Sequence, residues 1–126
     1  MKAILDTSVL LASNIAVLDG ELAISTASLA ELHFGVLVTA DGSIRAERLR
    51  RLSLLQRTFD ALPVDDEVVA RYGQLAAAVV VSGRQPRSRV MDLLIAATAL
   101  AHDARLYTRN ASDLVGVEHL LDIVSV

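Results

Sequence analysis

The sequence predicts an α/β fold with a central, mostly parallel sheet of about four to five strands and helices on both faces. Three observations lead there. Short apolar runs such as Ala3-Ile4-Leu5 and Leu22-Ala23-Ile24 are bounded by polar or turn residues, the pattern of buried strands. Longer stretches between them space their apolar residues as helices do. The two kinds of segment alternate along the chain, as parallel strands joined by crossover helices require.

The elements follow in order. Ala3-Ile4-Leu5 leads into Asp6-Thr7-Ser8, so a strand ends on a carboxylate and two hydroxyls. A first helix is expected over Val9–Leu18, stopped near Asp19-Gly20. Leu22–Ser25 is a short strand and Thr26–Val38 a helix, broken by Asp41-Gly42-Ser43. Ile44–Phe59 has the clearest amphipathic pattern, with Ile44, Leu49, Leu52, Leu55 and Phe59 on one stripe and Arg45, Arg48, Arg50 and Arg51 opposite. Leu62-Pro63-Val64 suits an edge strand, because proline cannot donate to a central ladder. Asp65 caps a helix over Asp66–Val81, whose first-turn acids favour the helix dipole. After the loop Gly83–Pro86, an apolar helix runs over Val90–His102, interrupted by the single carboxylate Asp92. Arg105–Thr108 is a strand, Asn110–Asp113 a turn, and Leu121–Val124 a final strand.

Composition narrows the function. With 126 residues the chain has the size of one domain, spanning residues 1–126. It contains no cysteine, so disulfides and thiolate metal sites are excluded. Hydrophobic residues make up 53% of the sequence and aromatics only 3%, with a mean hydropathy of +0.48. Such a balance calls for an alanine-rich helical core or for apolar surface covered by a partner. The net charge of −3 excludes an ordinary basic nucleic-acid binder. No signal segment or membrane span is evident, so a soluble, cytoplasmic protein with no membrane contact is expected. Eleven of the twelve cations are arginines, five of them in Arg45–Arg57 and three in Arg84–Arg89; arginine suits bidentate phosphate contacts and equally suits plain solvated helix faces.

Common catalytic motifs are missing: there is no glycine-rich phosphate loop, no HExxH and no G-x-S-x-G. His33, His102 and His119 lack metal-ligand spacing. Carboxylates remain. Asp6 ends a buried strand, where α/β sheets bind ligands, but it also has the residue type of a helix cap. Glu31 lies early in a helix after the second strand, and Ser28-x-x-Glu31 also has capping-box spacing. Asp92 sits among core residues, where an acid is rare unless paired, bound or at a helix start. Asp113 follows a strand through a polar turn, an ordinary place for aspartate. Together the four fall at what would be one end of a parallel sheet. Converging carboxylates need a compensating cation, and oxygen donors without His or Cys favour Mg²⁺ or Mn²⁺ over zinc. Phosphodiester hydrolysis is the reaction class such a site serves.

Four stretches carry a family resemblance: Ile4-Leu5-Asp6-Thr7-Ser8; Ile24-Ser25-x-x-Ser28-Leu29-Ala30-Glu31-Leu32-x-x-Gly35-Val36; Asp92-x-x-Ile95-Ala96-Ala97-Thr98-Ala99; and Thr108-Arg109-Asn110-x-x-Asp113-Leu114. In this order and spacing the chain resembles the PIN-domain ribonucleases, and among them the VapC toxins of toxin–antitoxin pairs. The resemblance implies a PIN-like three-layer fold and a Mg²⁺-dependent endoribonuclease. It assigns catalysis to Asp6, Glu31, Asp92 and Asp113, metal binding to Asp6 and Asp92, and support to Thr7, Ser8 and Asn110. Asn110 stands where some relatives carry another acid, and Leu114 where an aromatic is usual. RNA as substrate, a VapB-type antitoxin and a homodimer are likewise implied by the resemblance. Two other readings use the same residues. One is a non-catalytic interaction module that keeps the fold. The other is an aspartate-dependent phosphatase, which Ser8 and the single lysine, Lys2, disfavour.

Overall fold

The computed structural model describes residues 1–12 and 17–126. Its sheet has five strands in the order β3-β2-β1-β4-β5: β1 (Lys2–Leu5), β2 (Glu21–Ser25), β3 (Asp60–Leu62), β4 (Arg105–Thr108) and β5 (Ile123–Ser125). Every pairing is parallel. The chain winds outward from β1 through β2 to β3, then returns to the other side of β1 for β4 and β5. The winding therefore reverses between β1 and β4, and at such a reversal the strand ends open a crevice. Asp6 follows β1 there, beside Thr108 at the end of β4.

Alternation along β1 builds two cores. Ile4 faces one side with Val68, Leu75 and Val79 of α4 (Asp66–Val81) and Leu93 and Ile95 of α5 (Val90–Ala101). Ala3 and Leu5 face the other, with Val9 and Leu10 of α1 (Thr7–Leu10) and Leu55 of α3 (Gly42–Thr58). Helix α2 (Thr26–Val38) crosses the end of the sheet and adds Ala27 to the first core and Leu29 and Leu32 to the second. These are the expected layers.

Several boundaries differ from expectation. Of the helix expected over Val9–Leu18, the described part is the single turn α1, closed at Leu11; residues 13–16 lie outside the described residues. The edge strand is Asp60–Leu62 rather than Leu62–Val64. Pro63 has no N–H for the ladder, and the Val64 N–H donates instead to Thr26 Oγ1. The turn expected at Asn110–Asp113 is a 3₁₀ turn over Ala111–Leu114, and the last strand starts at Ile123. Helix α3 begins at Gly42, capped by Asp41, and buries only part of its stripe. Leu52 and Leu55 are in the core, whereas Ile44 and Leu49 are 48% and 51% exposed. Its first half extends beyond the sheet and packs along α2. There Arg45 donates to the Val36 and Leu37 carbonyls and Arg48 to the Gly35 carbonyl. These arginines add donors to carbonyls of the last turn of α2, where Val36 also accepts the Thr39 N–H and Gly35 the Thr39 hydroxyl.

Candidate functional site

Asp6 occupies two roles at once. Its Oδ1 accepts the Thr7 N–H at 2.8 Å and so caps α1. Its Oδ2 accepts the Ser8 hydroxyl at 3.0 Å and the Thr108 hydroxyl at 2.7 Å. The residue is only 7% exposed, and a carboxylate this buried needs such donors. The donors are themselves held. The Arg109 N–H donates to Ser8 Oγ and the Asn110 N–H to Thr108 Oγ1. Three of the roughly four acceptor positions of Asp6 are thereby used.

Glu31 is not part of a capping box. Helix α2 starts at Thr26, two residues before Ser28, and Ser25 caps it by accepting the Ala27 N–H at 3.0 Å. Ser28 and Glu31 instead meet Thr7: the Thr7 hydroxyl donates to Glu31 Oε1 at 2.8 Å and lies 2.9 Å from Ser28 Oγ. Thr7 has one proton to give, so the carboxylate takes it and Ser28 donates to Thr7. Thr7 thus links the acid of α2 to the turn that holds Asp6.

Asp92 lies in the first turn of α5, where the helix dipole favours negative charge. It does not cap the helix, because Arg89 occupies the cap position. Its carboxyl is pushed up to about 6 by burial first, then by the charges of Asp6, Asp113 and Glu31, with Arg89 opposing. The four acids singled out in the sequence therefore share one electrostatic neighbourhood. Asp113, half-buried in the 3₁₀ turn, is fixed through its backbone: Arg89 Nη1 donates to its carbonyl at 2.7 Å. Asn110 caps this turn with its backbone only, and its side chain is exposed.

Among the described residues no three acidic or histidine side chains form a ready-made ligand cage; what links the four acids is the effect of the other three on Asp92. The donor set is all hard oxygen, and Asp92 carries a charge the protein alone holds poorly. Both features suit a divalent ion that keeps part of its water shell, since Mg²⁺ binds through one or two carboxylates plus waters.

The sequence does not single out Thr108 or Ser28 as site residues, and it offers Arg89 only as one of the Arg84–Arg89 group. Thr108 was quoted in a motif, but its role depends on β4 lying beside β1 with Tyr107 opposite Leu5. No local pattern carries that pairing.

The PIN domain family model matches residues 3–114. Among curated relatives, ribonuclease VapC5 of Mycobacterium tuberculosis is 35% identical over 113 residues, covering 85% of this chain and 82% of the relative. Ribonuclease VapC8 of the same species is 36% identical over 100 residues, covering 76% and 88%. Among solved structures, the VapBC-5 toxin–antitoxin member from Mycobacterium tuberculosis superimposes with a TM-score of 0.86 at 33% identity, covering 99% of this chain and 98% of that one. VapBC2 from Rickettsia felis, bound to a DNA fragment from its promoter, shares the fold with a TM-score of 0.81 at 22% identity, covering 99% and 98%.

Proposed function

The chain belongs to the PIN-domain family, alongside the VapC ribonucleases, and on that footing we propose that it is a Mg²⁺-dependent endoribonuclease, the toxin of a toxin–antitoxin pair. One observation carries the reading: at the crevice where the sheet reverses its winding, Asp92 is lifted to about 6 by burial first and then by the charges of Asp6, Asp113 and Glu31. An interaction module has no use for such mutually repelling acids, whereas a divalent cation relieves them.

Asp6 and Asp92 would hold the ion, with Mn²⁺ able to replace Mg²⁺. Bound there, a divalent ion lowers the pKa of its water and offsets the charge of the phosphodiester. The remaining work falls to the chain. Thr7, Ser8 and Thr108 fix the Asp6 carboxylate in one orientation, which removes reorganisation from the reaction. Glu31, held by Thr7, and Asp113 orient the attacking water in line with the leaving oxygen. Asn110 supports this arrangement through its backbone N–H on Thr108.

RNA is the substrate, a VapB-type antitoxin the silencing partner, and a homodimer the working assembly. The two relatives are named ribonucleases, and the 33%-identical neighbour is a toxin–antitoxin member. Among the described residues no helix is long and apolar enough to cross a membrane, and the site is assigned to the cytoplasm, where cellular RNA is found. The test is cleavage of total cellular RNA by antitoxin-free protein with Mg²⁺ or Mn²⁺. Wild type should cut, while Asp6→Asn and Asp92→Asn, shown folded by circular dichroism, should not. Equal cleavage by all three would refute the metal-site assignment.

A further inference from the structure

The arginines fall into two groups that the structure treats differently. Those of α3 are turned back onto the protein. Arg45 and Arg48 hold the end of α2, and Arg51 donates to the Leu10 and Ala12 carbonyls at 2.7 Å each. Arg50 pairs with Glu47, and Arg57 reaches the Ser53 carbonyl of its own helix. Arg48 and Arg51 do line a groove of about 320 Å³ that starts at Thr7 and Glu31, but their guanidinium groups brace its wall.

Arg89 differs in each respect. It is half-buried at the start of α5, on the same turn of chain as Asp92. Its Nη1 is pinned to the Asp113 carbonyl. Among the described residues it makes no ion pair with any carboxylate. A guanidinium has five N–H donors in a rigid fork matched to phosphate oxygens, and the pin uses one of them. Arg89 is also the cation whose charge registers at Asp92, so it stands at the acidic crevice. Arg109 is the rival by position, next to Thr108, but its side chain is exposed and has no anchor among the described residues.

We propose that Arg89, anchored through the Asp113 carbonyl, is the residue that grips an RNA phosphate at the acidic crevice, and that the α3 arginines do not contact the substrate backbone. The inference rests on the ribonuclease reading above and names the residue that recruits its substrate. An acidic crevice repels RNA, and one fixed guanidinium supplies local attraction without neutralising any ligand carboxylate.

The test is binding of a fluorescein-labelled, single-stranded RNA oligonucleotide, read by anisotropy in EDTA across about 50 to 200 mM salt. Each phosphate contact contributes about 0.7 to the slope of log Kd against log salt for a single strand. Arg89→Ala should weaken binding and flatten that slope by about 0.7, the value of one contact. Arg89→Lys should restore the slope, because the charge remains, yet leave kcat/KM for Mg²⁺-supported cleavage about tenfold low for want of the fork. Arg50→Ala and Arg57→Ala should leave slope and rate unchanged. The proposal falls if Arg89→Ala keeps the wild-type slope, if Arg89→Lys behaves as Arg89→Ala in binding, or if Arg109→Ala flattens the slope instead. Wild-type protein that binds RNA with the expected slope but never cleaves it would sink the ribonuclease reading and leave the phosphate grip standing. Wild-type protein that does not bind RNA would overturn the grip.

Discussion

The crevice between β1 and β4 and the hairpin of α2 with α3 are both rich in charge, but they handle it in opposite ways. At the crevice, like charges are gathered and partly buried. Asp6 is held by three donors, and Asp92 stands among three other acids with one cation nearby. On the hairpin, positive groups are spread over an exposed helix and bonded to carbonyls of the last turn of α2. The first arrangement raises the energy of the protein alone and, on the proposed reading, becomes favourable when a cation arrives. The second lowers it at once. Charge that stabilises the fold and charge that serves chemistry are thus told apart by their partners, not by their number.

The sharpest way to break this contrast is at Asp6. Asp6→Ala leaves the Thr108 and Ser8 hydroxyls and the Thr7 N–H without their acceptor. Each unsatisfied group costs roughly 1–3 kcal/mol, so a total loss of at least about 3 kcal/mol is expected in urea unfolding. RNA cleavage should drop by at least about 100-fold, as for other groups aimed at transition-state charge. A fully stable Asp6→Ala would mean that the donors repartner and that Asp6 does not organise the crevice.

Asp92→Asn should separate activity from stability in the opposite sense. Cleavage should fall about as far as for Asp6→Ala, but the metal-free protein should gain stability. The folded-state value of about 6 lies above the ordinary 3.8, so the folded state holds this proton more tightly than the unfolded one. Stability of the metal-free wild type therefore declines as pH rises from about 4 to about 6 and levels off above. The half-exposed site is screened by solvent, which limits the effect to on the order of 1 kcal/mol. Tm against pH, with and without Mg²⁺, measures it. The variant should lose this decline, and Mg²⁺ should raise the wild-type Tm most above pH 6, where it no longer competes with a proton.

Thr108→Val tests the link between strands. It removes one donor from Asp6 and the acceptor of the Asn110 N–H, with an expected cost of about 1–2 kcal/mol. A fall in cleavage of about tenfold should accompany it, since Asp6 keeps its cap and Ser8. This bond spans 102 positions in the chain, and its invisibility in the sequence is instructive. Local signals were enough for α4, where Asp65 caps and Asp66 and Glu67 follow, and for β4 as a strand. They also brought out each of the four acids. What they lacked was the strand order, without which Thr108 is only the end of a strand and Asp6, taken alone, fits a cap as well as a ligand site. The stripe on α3 failed for a related reason. Periodicity tells which face is apolar, but Ile44 and Leu49 extend past the sheet and have little to pack against.

The smallest effects belong to the hairpin. Arg48→Ala removes bonds to the Gly35 carbonyl and to Thr39 Oγ1 on an exposed surface. A cost of about 0.5–1 kcal/mol is expected, with cleavage within about twofold of wild type. Phe34→Ser should do still less to the isolated protein. Phe34 is 69% exposed and its neighbour along the helix, Leu37, 70%, so little apolar area leaves the core with the ring. Urea unfolding at low protein concentration should shift by no more than about 0.5 kcal/mol. A loss above about 2 kcal/mol at high concentration that vanishes on dilution would show that a second copy covers this face. The hairpin would then hold buried apolar surface as well as solvated charge, and its contrast with the crevice would be one of occupant rather than of exposure.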